Sequence, residues 1–111
     1  MNDINLRAVS DVDAQFLTFI MNIDSILNAL NEQPTKLGDW VDAIKEWSKD
    51  SDEEDYIISD GETPIGWIGI NGLESADKVA YLKLVAILPN YQNKEIGYYA
   101  IRQVVEMMRQ R

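Results

Sequence analysis

The ten residues from Val79 to Leu88 limit the possible folds more than any other segment, because Lys83 is their only charge and apolar side chains fall on both parities. Val79, Tyr81, Val85 and Ile87 share one face of a strand, while Ala80, Leu82, Leu84, Ala86 and Leu88 share the other, so both faces need cover. The segment reads as a central strand. Pro89-Asn90 stops it, since proline cannot donate to a ladder. Further on, Ile96, Ala100, Ile101, Val104 and Met108 recur at helical spacing and predict a helix over 96–108 with those residues on its inner side.

Upstream, Tyr56-Ile57-Ile58-Ser59 and Pro64-Ile65-Gly66-Trp67-Ile68-Gly69-Ile70 predict two strands joined by a hairpin at Asp60-Gly61. Before Tyr56 the apolar period lengthens. Val12, Phe16, Leu17 and Ile20, then Ile23, Ile26, Leu27 and Leu30, predict two helices, the second ending at Gln33-Pro34. Trp40, Ala43, Ile44 and Trp47 predict a third, with Asp39 and Asp42 placed to favour its dipole. Ser10 with Asp13 is a loose capping box that opens the first helix, and Ile4, Leu6 and Ala8 alternate as a short first strand ending near Val9. The run from Asp50 to Asp55 reads as a solvated loop. The order β-α-α-α-β-β-β-α predicts one α/β (α+β) domain over 1–111 with a mainly antiparallel sheet.

A chain of 111 residues, 46% hydrophobic and 26% charged, suits one core and is far from the composition of disorder. It contains neither Cys nor His, which removes thiol nucleophiles, disulfides, His-assisted serine chemistry and the usual zinc ligands. No metal is expected. Thirteen acids and four bases lie in residues 1–55, against six of each in 56–111, so the whole net charge of −9 belongs to the first half. Such a field repels phosphate backbones, so no nucleic-acid partner is expected. There is no basic, apolar leader and no apolar run near the ~20 residues that span a bilayer, so the expectation is a cytoplasmic protein without a membrane partner.

Where a strand runs into a helix through a short loop, the first helical N–H groups lack partners and, with the helix dipole, can hold an anion. The loop Asn90-Tyr91-Gln92-Asn93-Lys94-Glu95-Ile96-Gly97 has that position, with Lys94 as a charge partner. From Ile87 to Gly97 it resembles the acyl-CoA signature of the GNAT N-acetyltransferase superfamily: an apolar strand, a proline, then Gln/Arg-x-x-Gly-x-Gly/Ala opening a helix. Gln92 and Gly97 fill the first and last places. Ile4-Asn5-Leu6-Arg7, Tyr56-Ile57-Ile58 and Pro64 to Ile68 look like the first three strands of that fold, so the likeness covers nearly the whole chain.

The resemblance implies acetyl-CoA as cosubstrate, its pyrophosphate held by main-chain amides from Gln92 through Asn93, Lys94, Glu95, Ile96 and Gly97 to Tyr98. The pantetheine arm would lie beside Val85 and Ile87 like an added strand. It also implies acetyl transfer to a primary amine, without metal or covalent enzyme intermediate. The sequence departs from the pattern twice. Glu95 stands where the family has its first glycine, and the chain stops at Arg111, where the family fold continues with a splayed strand, a helix and closing strands. The fold is thus expected to be C-terminally truncated, with a homodimer or larger assembly covering the exposed edge of 79–88. The alternative is a truncated relative that binds CoA or a protein without turnover; charge alone supports a third, an acidic protein that occupies a basic partner.

Other residues have simpler readings. Trp40 and Trp47 are expected in the core, and Trp67, between Gly66 and Gly69, is expected to leave one side open to a ligand. Tyr81 and Lys83 are the polar side chains nearest the thioester the resemblance implies, with Lys83 expected to be structural or edge-protecting. Tyr98 and Tyr99 either touch CoA or fill space. No catalytic base or acid is assigned. The Asp50–Asp55 run can attract a cationic amine, but solvation is its expected role.

Overall fold

The computed structural model describes residues 3–74, 80–92 and 94–110. Four strands, β1 (Ile4–Ala8), β2 (Glu54–Asp60), β3 (Thr63–Asn71) and β4 (Tyr81–Ile87), form one sheet in the order β1-β2-β3-β4, every pair antiparallel. Between β1 and β2 run a 3₁₀ turn (Asp11–Asp13) and three helices, α1 (Ala14–Ile20), α2 (Asp24–Leu30) and α3 (Leu37–Lys49). A second 3₁₀ turn (Pro89–Tyr91) leads from β4 to α4 (Ile96–Arg109). The element order is the one the patterns predict.

Each face of the sheet has its own core. On one, Ile58, Ile68, Ile70 and Ile87 meet Ile96, Ala100 and Val104 of α4. On the other, Ile57, Trp67 and Ala86 meet Leu17 and Ile20 of α1 and Ile44 of α3. Burying the larger of these side chains contributes about 1.5–3 kcal/mol each. Arg7 fastens β1 to the 3₁₀ turn through a fork on Asp13 at 2.7 and 2.9 Å, and Asp13 also accepts from the Ser10 N–H at 2.8 Å. That is the capping half of the Ser10–Asp13 box, although the helix it opens is 3₁₀ for its first turn. Val12, expected on the inner side, is 82% exposed as a result.

Two bulges shape the sheet. Ser59 pairs with Pro64 and Ile58 with Gly66, so Ile65 is extra and turns into the α4 side. Gly69 pairs with Leu84 and Ile70 with Leu82, which leaves Lys83 extra on β4. A one-residue insertion reverses the parity. Leu82 therefore lines a groove with Ile70, Ile101 and Val104 on the α4 side, and does not share a face with Leu84 and Ala86 as strict alternation predicts.

Other expectations need correction. Among the described residues β4 is an edge strand, not a central one, and Tyr81 and Leu82 are 54% and 48% exposed. The acidic run is not all loop: β2 starts at Glu54 and Asp55 is buried, because its parity matches that of Ile57 on the α1–α3 face. Trp67 is 2% exposed and has no open side; Trp40 and Trp47 pack on it with ring centroids at 5.3 and 5.4 Å. Val79, the predicted start of β4, lies outside the described residues. Among those described, no helix is long and apolar enough to cross a membrane.

Candidate functional site

The end of β4 and the start of α4 build the candidate anion site from main-chain groups. The Leu88 N–H donates to Ile65 O at 2.8 Å, so Leu88 faces inward toward β3. By the alternation of an antiparallel ladder, the N–H and C=O groups of Ile87 and Val85 then face the open edge. Gln92 agrees with this: its side-chain amide donates to Ile87 O at 2.9 Å across that edge. The Tyr91 N–H returns to Leu88 O at 2.8 Å, which closes the turn that proline starts.

Helix α4 begins with its donors free of helical partners. Its first full-turn bond runs from the Tyr99 N–H to Glu95 O at 2.9 Å, so the N–H groups of Ile96, Gly97 and Tyr98 have no acceptor within the helix. The Glu95 side chain caps none of them. They open a helix of fourteen residues, whose dipole adds partial positive charge. Lys94 and Arg102 are exposed beside this end, with Lys94 Nζ 5.6 Å from the Tyr91 ring and Arg102 5.7 Å from that of Tyr98. An ideal Cβ on Gly97 would lie 4.0 Å from Ile87 Cγ1, so helix start and strand end adjoin.

The structure thus brings Gln92, Lys94, Glu95, Gly97 and the exposed Tyr98 together around the helix start. Ile96 offers only its N–H, because its side chain is core, and Val85 and Ile87 offer only their main-chain edge, because their side chains pack toward α4. The Gln92 amide is engaged by β4. Asn93 lies outside the described residues. Glu95 has φ 62° and ψ 14°, a left-handed conformation that glycine adopts freely and other residues at a cost.

A second polar group, which the sequence reading overlooked, lies on the opposite face. Lys83, turned inward by the bulge, crosses Gly69 to form ion pairs with Glu53 and, at 3.1 Å, with Asp55. Its Nζ is 4.4 Å from the Trp47 ring and 5.3 Å from that of Trp67, and Trp67 Nε1 donates to Asp55 Oδ1 at 2.9 Å. Among the described residues Asp55 Oδ2 is buried without a hydrogen-bond partner. Burial, together with the Glu53 carboxyl beside it, pushes Asp55 up to about 7. Burial also acts to raise Glu53, but its hydrogen bond with Asp55 and its pairing with Lys83 outweigh that and hold it below the usual carboxylate range. The available signal was parity: Asp55 and Ile57 are two apart, and Gly69 leaves room opposite.

The acetyltransferase (GNAT) family model matches residues 23–111, which include β2 to β4, the loop and α4. The chain belongs to this family. No curated protein is close enough in sequence to match it. Among solved structures, an acetyltransferase from Thermus thermophilus superposes with a TM-score of 0.84 at 19% identity, over 96% of this chain and 71% of that one. Spermidine N-acetyltransferase from Vibrio cholerae, in complex with CoA and spermine, gives 0.83 at 19% identity over 95% of this chain and 63% of its own. A transcriptional regulator from Bacillus halodurans gives 0.76 at 18%, over 96% and 75%. At these identities the likeness is one of fold. This GNAT chain therefore has the antiparallel sheet and flanking helices of the acyl-CoA N-acyltransferase fold, and it spans under two thirds of the length of the Vibrio cholerae enzyme.

Proposed function

We propose that this GNAT domain binds acetyl-CoA and transfers the acetyl group to a primary amine. The observation that carries the reading is the row of N–H groups of Ile96, Gly97 and Tyr98, which have no acceptor within α4, set beside a strand edge whose Val85 and Ile87 groups face outward. The row suits a pyrophosphate, and the edge suits the amides of a pantetheine arm. In this reading the amine attacks as the free base, its nitrogen bonds to the thioester carbonyl carbon, and the C–S bond breaks as the thiolate leaves and takes a proton. Main-chain N–H groups suit the negative charge that develops on the carbonyl oxygen. A small-molecule acceptor draws support from the Vibrio cholerae neighbour, a spermidine N-acetyltransferase.

The open edge has a second consequence in this proposal. A second copy of the chain covers the Tyr81–Leu82 end of β4 and its apolar groove, while the Val85–Ile87 end is left to the cosubstrate. The Vibrio cholerae enzyme, whose structure is described as dodecameric, offers a precedent for assembly.

Isothermal titration with acetyl-CoA tests the reading. Saturable heat is expected, and none at millimolar ligand would remove it. A second reading, a domain of this fold that binds without turnover, has Glu95 in its favour: a carboxylate at the helix start opposes a diphosphate. Thiol release across a panel of amines separates the two.

A further inference from the structure

Two apolar surfaces are left over once both cores are filled. On α4, Ile96, Ala100 and Val104 pack on the sheet, while Tyr98, Ile101, Val105 and Met108 recur at helical spacing as a second stripe beside the first. Ile101, Val105 and Met108 wall a groove of about 390 Å³ whose other side is Ile70 and Leu82, and Val105 is 45% exposed. The other surface lies on the first 3₁₀ turn and α1. Ala14, Leu17 and Ile20 face the core there, so Val12, Phe16 and Phe19, spaced by four and three residues, turn away from it. Val12 is 82% exposed and Phe19 61%.

Charge sets the two surfaces apart. Between Arg7 and Lys36 the sequence has no basic residue, and Arg7 is held by Asp13. Asp11, Asp24 and Glu32 therefore stand exposed around α1 and α2, without an ion pair among the described residues. On α4, Arg102 and Arg109 come four residues after Tyr98 and Val105, so they border the apolar stripe, and Arg109 lines the groove itself. Neither has an ion pair among the described residues, and Glu106, the acid of this helix, accepts from Gln110. Pairing groove with groove sets these arginines against their own copies, and pairing α1 with α1 does the same for Asp11 and Asp24. Joining the groove to α1 brings opposite charges together.

The geometry points to a head-to-tail interface between copies of this chain, in which Phe19 and Val12 of one copy fill the β4–α4 groove of the next while Asp11 and Asp24 meet Arg102 and Arg109. An aromatic ring seated in an apolar groove, with charges at its rim, is the usual form of a strong contact. Each chain offers one surface and accepts the other, so the contact repeats and either closes as a ring or continues as a chain of copies. This arrangement deepens one part of the proposed function, that a second copy covers the Tyr81–Leu82 end of β4, and rests on that part alone.

Light scattering of the intact chain tests this through mixing. Phe19→Asp removes the aromatic knob and keeps the groove, whereas Val105→Asp spoils the groove and keeps the knob. Each variant alone is expected to self-associate about thirtyfold more weakly than the wild type. Mixed in equal amounts they retain one sound interface per pair, so the mixture should form particles of two chains and no larger, while the wild type grows beyond two as concentration rises. Arg109→Glu should weaken wild-type association about tenfold. Phe19 and Val105 are both exposed; should Val105→Asp not fold, Leu82→Lys, also at an exposed position, takes its place in the mixture. A wild type that stops at two chains, assembly that survives Phe19→Asp, or a mixture that stays monomeric overturns the head-to-tail interface and leaves a second copy on β4 standing, whereas a wild-type monomer removes both. Acetyl-CoA titration of the same samples decides the transferase reading separately.

Discussion

Glu95 carries two burdens at once. Its backbone sits at φ 62°, where a Cβ costs about 1 kcal/mol, and its carboxylate stands at the end of α4 that the proposal assigns to a pyrophosphate. Glu95→Gly should therefore raise stability by about 0.5–1 kcal/mol in urea denaturation. It should also tighten acetyl-CoA about fivefold by calorimetry, and a weaker complex would show that the carboxylate helps. Gly97 is the opposite case. A Cβ there meets Ile87 only at ordinary contact distance, so Gly97→Trp should leave thermal unfolding nearly unchanged while acetyl-CoA binding disappears, because the indole fills the space beside the N–H groups that open α4. The sequence already marked both positions through the signature. It did not reveal that Glu95 takes a left-handed backbone, since the sign of φ is a property of the folded turn.

The elements divide into those that pattern alone predicts and those that one extra residue redirects. Asp60-Gly61 gives its hairpin because Gly61, at φ +61°, opens the two-residue loop between β2 and β3, and α3 and α4 follow their apolar spacing. The bulge at Lys83 was not legible. Alternation across Val79–Leu88 looks unbroken, and only pairing with β3 shows that Lys83 has no partner and faces the tryptophans. Asp55 was missed for the same reason, as a carboxylate gains a place in a core only through its partners. Gly69 makes that meeting possible. An ideal Cβ there would come within 2.4 Å of Asp55 Oδ1 and 2.8 Å of Lys83 Cε, so Gly69→Ala must part the two. It should cost about 2–3 kcal/mol in chemical denaturation, and a neutral result would mean the ion pair shifts without penalty.

For the whole molecule, buried acids set the response to pH. Asp55 keeps its proton to about pH 7 when folded but only to about 4 when unfolded, so between those values the folded state holds more protons and this group lowers stability as pH rises. Asp13 works the other way. Burial acts to raise it, yet Arg7 and the Ser10 N–H outweigh that and hold it below the usual range, so its contribution is full above about pH 4 and fades as pH falls through its folded value. Denaturation midpoints should peak near pH 5, and Asp55→Asn should flatten the alkaline side of that peak; an unchanged slope would place the titration elsewhere. The open edge predicts a dimer or larger species by light scattering at micromolar concentration, and a clean monomer would count against a second copy on β4. Lys83 joins these two features, as it belongs to the edge strand and also lies over the rings of Trp47 and Trp67. Anything that straightens the bulge on docking swings an ammonium away from two fluorophores, so the protein carries an optical gauge of its own edge, readable in ultraviolet emission without a label.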